Sequence, residues 1–212
     1  MNNEDLKDNK KKRLNEKEYI GVGGFVLEII KIILLAFIII VPIRVFLFQP
    51  FFVQGASMEP TFENEQYLII NEFGFKKTTI GIKDINLFSV NPFRKIERQK
   101  VLVFRYPKNP KQYFIKRVIG LPGEKIEIKN GAVKIFNTEN PNGFVLDEGS
   151  YLSKDVRTVG DMTMTLKDTE YFMMGDNRMF SSDSRYWGPI ADNLIIGEVL
   201  IRAWPLNEIK IF

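Results

Sequence analysis

Apolar residues fill the chain from Phe25 to Phe48, with only three charged interruptions. As a helix that rises about 1.5 Å per residue, this run would reach roughly 36 Å, which is enough to cross a bilayer. Its central part, Ile32–Ile43, has no polar face of the kind that a helix in a soluble core shows. The residues that follow, QPFFVQ, lack the small side chains of a cleaved export signal. The pattern therefore predicts an uncleaved transmembrane helix over residues 20–48.

The distribution of charge predicts the orientation of this helix. Basic residues precede it, and none occurs between Arg44 and Lys76. By the positive-inside rule, residues 1–19 form a cytoplasmic charged tail and the remainder lies outside. The net charge of +4 could suit nucleic acid, but acidic and basic side chains nearly balance in the tail. We therefore predict a single-pass protein of the cell membrane without a nucleic-acid partner, and its oligomeric state stays open.

Beyond the helix, residues 49–212 show short runs rich in Ile, Val, Phe and Tyr, several of which alternate in polarity. These runs are QYLIINEF, KVLVFRYP, QYFIKRVIG, EKIEIKNGAVKIF, EYFMMGD and IIGEVLIRAWP. Asn130-Gly131 separates two such runs and is the strongest short signal for a hairpin. Long helical periodicity is absent. We predict a mainly β extracytoplasmic domain in which about 130–165 forms a peripheral ribbon or loop.

Composition narrows the chemistry that this domain can perform. The chain contains no Cys and no His, which excludes thiol catalysis, histidine-based triads and the commonest zinc sites. Ser57, in QGASMEPTF, lies on a turn-forming stretch that could present its hydroxyl to a substrate. A base for this hydroxyl would have to be a carboxylate, a tyrosine or a lysine. We predict no metal and no cofactor.

Lys116 is a candidate for that base. A lysine can deprotonate a serine when burial lowers its pKa, because the free amine then exists at working pH. In QYFIKRVIG, strand alternation puts Lys116 on one face with Phe114 and Val118. Taken alone, a Lys-Arg pair in a strand more often marks an edge whose charges reach water. Ser57 alone is likewise more often part of a turn or a helix cap.

A third stretch, GDNRMFSSDSRYWG, begins at Gly175 and is dense in polar residues. It lacks the sixth-position glycine and the final glutamate of a calcium loop. Asp183 and Arg185 can pair, and Ser181 or Ser184 could orient a lysine amine. A polar surface loop is the alternative interpretation.

SMEPTF, FIKRVIGLPGE and GDNRMFSSDSRYWG follow the apolar segment in this order. Together they closely resemble the sequence blocks of bacterial type I signal peptidases of peptidase family S26, in the Gram-positive-like form, from the anchor to about Trp204. The resemblance implies the family's complex β fold of coiled antiparallel sheets, preceded by one transmembrane helix. It also implies a membrane-bound serine endopeptidase, without a cofactor, that removes signal peptides from exported preproteins after Ala-x-Ala-like sites, close to membrane lipid.

The resemblance also assigns roles to residues. Ser57 matches the nucleophile and Lys116 the general base of a Ser/Lys dyad, while Ser181 matches a serine that hydrogen-bonds the lysine. Asp183 and Arg185 match a pair that braces the site. Val53 and Ile115 match residues that line shallow substrate pockets, and Gly55 and Ser57 match the oxyanion region. Many members carry, two residues before the nucleophile, a serine that donates to the oxyanion. This chain has Gly55 there, as Gram-positive members have a glycine. The Ser57 N–H is then the identifiable donor.

Two other classes stay open at this point. A self-cleaving repressor with a Ser/Lys dyad resembles the same fold, but it should carry a DNA-binding helical domain where this chain has an apolar segment. A catalytically inactive, membrane-tethered paralogue that acts as a binding module is the second alternative. The joint retention of Ser57, Lys116 and Ser181 disfavours it.

Overall fold

The chain divides into two units, residues 1–43 and 44–212, in a computed structural model that describes residues 22–46, 48–75, 78–82 and 85–212. The charged tail predicted over residues 1–19 lies outside the described residues.

Helix α1 spans Val22–Phe46 and is apolar over nearly all of its length. Its Gly23–Ile40 portion is long and apolar enough to cross a membrane, and none of it is buried in the protein. The predicted N-terminal apolar helix is therefore confirmed. Its end differs from the prediction, because the helix stops at Phe46 and a strand begins at Phe48.

The second unit consists mainly of antiparallel strands, as predicted. The strands are β1 (Phe48–Phe52), β2 (Tyr67–Asn71), β3 (Thr78–Ile82), β4 (Ile85–Val90), β5 (Val101–Tyr106), β6 (Asn109–Gly120), β7 (Lys125–Lys129), β8 (Ala132–Phe136), β9 (Phe144–Val145), β10 (Met162–Thr165), β11 (Glu170–Met174), β12 (Ile190–Ala191), β13 (Ile195–Trp204) and β14 (Lys210–Ile211). A short helix, α2 (Ser184–Trp187), and two 3-10 turns, Asp192–Leu194 and Leu206–Glu208, complete the described elements.

The largest sheet has the order β1-β2-β13-β5-β6-β11-β12, and β14 also pairs with β13. Strand β6, which carries Lys116, therefore lies inside this sheet between β5 and β11. Lys116 is opposite Leu102 of β5, and Leu102 is fully buried. The alternative in which Lys116 and Arg117 mark a sheet edge is excluded by this position.

A second sheet has the order β10-β7-β8-β9. Its β7–β8 hairpin turns at Asn130 and Gly131, whose φ angles of 53° and 81° suit a type I′ turn. Strand β7 alternates between buried and more exposed side chains, and Ile126 and Ile128 face the core. The hairpin predicted from Asn-Gly is therefore present.

Residues 130–165 are more than the peripheral ribbon that the sequence suggested. They supply β8, β9 and β10, so three of the four strands of the second sheet come from this segment. Val133, Ile135 and Leu146 are buried there against Phe172 of β11, in a core shared with the larger sheet. The polar composition of the middle of the segment concealed the alternation of the apolar residues on either side.

Gly197 in β13 illustrates how closely neighbouring strands approach. A β-carbon at this position would lie 2.2 Å from the carbonyl oxygen of Asn71 on β2. We expect Gly197→Ala to lower the free energy of unfolding by about 1–3 kcal/mol, because the backbones must separate. Gly149→Ala is the control, since its nearest contact is a side-chain oxygen of Asp147 at 3.2 Å.

The measurement is thermal unfolding of the full chain in detergent, followed by the fluorescence of its two tryptophans. Equal unfolding midpoints for the two variants would contradict the prediction.

Candidate active site

The segment that carries Ser57 connects β1 to β2 and is anchored on both sides. The Val53 N–H donates to the carbonyl of Gln66 at 2.9 Å, which draws the two ends of the connection together. Met58 and Phe62, just after the serine, are almost completely buried in the core beneath it. Ser57 is therefore presented by a fixed turn and not by a free loop.

Gly55 and Ser57, the two residues predicted for the oxyanion region, differ in whether their N–H groups are hydrogen-bonded. Gly55 adopts a φ of 86°, a left-handed conformation that glycine tolerates best. Its N–H donates to the side-chain oxygen of Asn64 at 2.8 Å. The Ser57 N–H makes no hydrogen bond to any described residue. The Gly55 N–H is thus occupied, whereas the Ser57 N–H is available to a ligand.

Lys116 and Ser57 meet directly, although they are far apart in the sequence. Lys116 Nζ donates to Ser57 Oγ at 2.6 Å and to the carbonyl of Ile115 at 2.8 Å. The lysine is 3% exposed. Burial lowers the pKa of Lys116 to about 8, and the carboxylates of Asp183 and Asp176 act in the opposite direction.

The contact predicted for Ser181, a hydrogen bond to Lys116, differs from what the structure shows. Its Oγ is buried and has no hydrogen-bond partner among the described residues, so the predicted hydrogen bond to Lys116 is absent. Lys116 Nζ is directed instead to Ser57 and to the Ile115 carbonyl. Ser181 packs tightly against Gly175, where a β-carbon would lie 2.2 Å from Ser181 Oγ and 2.3 Å from the Ser57 carbonyl oxygen.

Asp183 and Arg185 form the pair that the sequence predicted. The guanidinium donates from Nε and a terminal nitrogen to the two carboxylate oxygens, both at 2.8 Å. Asp183 is fully buried and also accepts from the Gly175 N–H at 3.0 Å. The pair therefore closes the loop between β11 and α2, which we call the polar loop (residues 175–183).

Asn177 joins this polar loop to the serine segment. Its N–H donates to the carbonyl of Ser57 at 3.1 Å, and its side-chain amide donates to the carbonyl of Ala56 at 3.1 Å. These contacts hold the backbone of Ala56 and Ser57 in place, and with it the Ser57 hydroxyl and N–H.

Two further buried pairs were not predicted from the sequence. Arg117, the neighbour of Lys116, binds both carboxylate oxygens of Asp176 at 2.7 and 2.5 Å. Arg178 is almost completely buried and binds the carboxylate of Glu148, the carbonyl of Gly175 and the hydroxyl of Thr158. For the first pair the sequence contains one weak signal, which is a second basic residue in an apolar strand. The second pair joins residues 30 positions apart, and no local pattern marks it.

Ser57 and Lys116 lie in an open cleft of about 640 Å³. Both predicted pocket residues, Val53 and Ile115, line it. Its other lining residues are Phe51, Phe52, Gln54, Gly55, Ala56, Leu68, Val103, Gln112, Tyr113, Phe114, Phe180 and Ser182. Within the described part of the chain, no group of acidic side chains is arranged to hold a metal ion. An apolar cleft with a serine hydroxyl next to a buried amine is the arrangement of a serine hydrolase.

Comparison with known proteins narrows this class. The protein-family model described as signal peptidase, peptidase S26, matches residues 26–204. Signal peptidase IB of Staphylococcus aureus (strain COL) is 31% identical over 196 residues, which are 87% of this chain and 93% of the relative. A probable signal peptidase I-2 of Synechocystis sp. is 30% identical over 188 residues, 86% of this chain and 75% of the relative.

A crystal structure of a signal peptidase I from Enterococcus faecalis V583 is 32% identical and covers 50% of this chain and 97% of its own, with a TM-score of 0.41. The chain belongs to the signal peptidase family, peptidase S26. It is a serine endopeptidase of the class that removes signal peptides from preproteins, and α1 is compatible with membrane anchoring.

The pair of Glu148 and Arg178 yields a prediction about stability. Glu148→Ala leaves a guanidinium with 0% side-chain exposure without its carboxylate, and we expect it to cost about 3–5 kcal/mol of the free energy of unfolding. Glu170→Ala is the control, because Glu170 pairs with Lys167, whose side chain is 82% exposed. We expect it to cost less than about 1 kcal/mol. Urea unfolding of the full chain in detergent measures both, and similar losses for the two variants would refute the prediction.

Proposed function

We propose that Ser57 is the nucleophile and Lys116 the general base of a Ser/Lys dyad. The observation that carries this proposal is the 2.6 Å contact between Lys116 Nζ and Ser57 Oγ at the cleft. Because the pKa of Lys116 is lowered to about 8, the neutral amine is accessible near neutral pH. Asp183 and Arg185 brace the polar loop beside the dyad, and Ser181 supports it by packing against Gly175.

The reaction is an acyl transfer. Neutral Lys116 accepts the Ser57 proton, the oxygen attacks the peptide carbonyl, and the Ser57 N–H donates to the oxyanion. The lysine ammonium then protonates the leaving amine, which releases the mature protein. In the second half, the neutral lysine takes a proton from water, and the resulting hydroxide attacks the acyl-enzyme ester. The lysine ammonium then returns the proton to Ser57 Oγ as the ester bond breaks, which restores the serine and the neutral lysine.

The cleft suits cleavage after Ala-x-Ala-like sites in exported preproteins. Val53 and Ile115 lie beside the dyad, and Leu68 and Val103 add further apolar walls. Val53, Leu68 and Val103 are themselves buried in the core, so these apolar walls are fixed, which suits the binding of small apolar side chains.

We further propose that α1 spans the membrane, with residues 1–19 in the cytoplasm and 49–212 outside. The excess of basic residues before α1 supports this orientation. A row of exposed aromatic side chains on β1, β2 and β13 is suited to contact membrane lipid at the interface. Phe52 is paired with Tyr67, and Tyr67 with Trp204, across these strands.

The dyad is tested with the full chain in detergent and a lipid-tethered peptide that contains an Ala-x-Ala site. Wild-type protein should cleave after the second Ala, while Ser57→Ala and Lys116→Met should lose roughly 10³-fold or more in kcat. Wild-type kcat should rise with pH up to about 8 and then level off, because the protonated lysine cannot accept the serine proton.

Cleavage by Ser57→Ala would exclude the proposed nucleophile, and a flat profile from about pH 6 to pH 10 would exclude the lysine base. If folded wild-type protein leaves intact a peptide that Staphylococcus aureus signal peptidase IB cuts, the inactive paralogue becomes the better interpretation. That alternative is not favoured, because an inactive binding module has no need of the contact between lysine and serine.

The orientation is tested by labelling single cysteines, since the chain has none of its own. Asn9→Cys lies in the N-terminal tail, and Lys129→Cys is an exposed position at the end of β7. A membrane-impermeant maleimide should label Lys129→Cys in intact cells, and Asn9→Cys only after permeabilisation. The reverse pattern would show that the orientation is opposite to the one proposed.

A further inference from the structure

The cleft has a lining element to which the proposed mechanism assigns no role. Phe180 and Ser182, both in the polar loop, line the cleft together with the residues of β1, β6 and the serine segment. Phe180 is 80% exposed, the highest value for a large apolar side chain in the described part of the chain. An aromatic ring in water next to a reactive serine is poised for contact with a substrate.

The backbone that carries Phe180 is fixed, so only the side-chain torsions of the ring have to be ordered when it binds. The Phe180 N–H donates to the carbonyl of Asn177 at 3.1 Å, and Asn177 is itself bound to the serine segment. Ser181, the next residue, is buried. A phenyl ring on such a support loses little conformational entropy on contact, which favours binding.

The position of Phe180 indicates which part of a substrate it would meet. Residues 51–56 and 112–116, which include Val53 and Ile115, form an apolar trough. The proposed function assigns this trough to the substrate residues before the cleaved bond. Phe180 and Ser182 belong to neither segment. Their loop is joined to the backbone of Ser57 itself through Asn177. A peptide that fills the trough and places its carbonyl at Ser57 would therefore continue towards Phe180.

We propose that Phe180 is a specificity-determining residue that contacts the first residues after the cleaved bond and favours an apolar or aromatic side chain there. The inference rests on the proposed function, because it takes the trough as the site for the residues before the bond. A single apolar contact of this kind should change kcat/KM by about 10-fold.

The test uses the full chain in detergent with water-soluble peptides that share one Ala-x-Ala sequence. Leu, Phe, Gly or Asp occupies the first or the second position after the bond. For wild type, kcat/KM should be about 10-fold higher for Leu or Phe than for Gly or Asp at one of these positions. Phe180→Ala should bring this ratio close to one. Met179→Ala is the matched control, since Met179 is 63% exposed in the same loop but is not among the described lining residues.

An unchanged ratio in Phe180→Ala would overturn the inference, and so would equal losses of the ratio in both variants. A defect of Phe180→Ala that occurs only with lipid vesicles, with the ratio preserved in detergent, would assign the ring to membrane contact and also overturn it. Ser57→Ala separates this inference from the proposed function. If wild type cuts no peptide or Ser57→Ala still cuts, the proposed function fails, whereas Ser57-dependent cleavage with an unchanged ratio refutes only the role of Phe180.

Discussion

The burial of Lys116 is the constraint on which the rest of the site depends. An amine can act as a base near neutral pH only if its surroundings disfavour the ammonium form, and the interior position of β6 provides this. The carboxylates of Asp183 and Asp176 lie close enough to raise its pKa again. Arg185 binds both carboxylate oxygens of Asp183, and Arg117 binds both carboxylate oxygens of Asp176. Because an arginine neutralises each carboxylate, the two carboxylates stabilise the charged lysine less than unpaired carboxylates would.

The same pairs hold the polar loop against the serine segment. Arg117 follows Lys116 directly in β6, so the strand that supplies the amine also anchors Asp176 at the start of the loop. Asn177 then binds the carbonyl of Ser57. The position of the hydroxyl relative to the amine is therefore set by contacts that involve both segments. Glu148, in the connection between β9 and β10, adds to this support, since it neutralises Arg178 of the same loop.

The parts of the molecule that could be predicted from the sequence are those with a local signal. The apolar run of α1 and the Asn130-Gly131 turn each depend on neighbouring residues, and the structure contains both. Strand β6 is also present, but both of its faces are buried from Lys116 to Gly120, so burial does not alternate there. Ser57 and Lys116 were predicted as a dyad through a resemblance in three separate sequence blocks, and the structure places them in contact. The hydrogen bonds of Gly55 and Glu148 depend instead on where distant segments meet. The hydrogen bond from the Lys116 amine to the Ile115 carbonyl, and the lack of one to Ser181, likewise depend on the folded geometry.

A cleft this open raises the question of how it can select a substrate. Its walls include apolar side chains such as Val53 and Ile115, and each contact with a small side chain of a substrate would contribute little free energy of binding. If α1 and the aromatic row of Phe52, Tyr67 and Trp204 hold the catalytic unit at the bilayer, a membrane-bound preprotein meets it at high effective concentration. Affinity then comes from the shared membrane, so the cleft itself has only to align the bond with Ser57. Weak contacts on either side of that bond are sufficient for discrimination, because selection depends on differences in transition-state binding and not on total affinity.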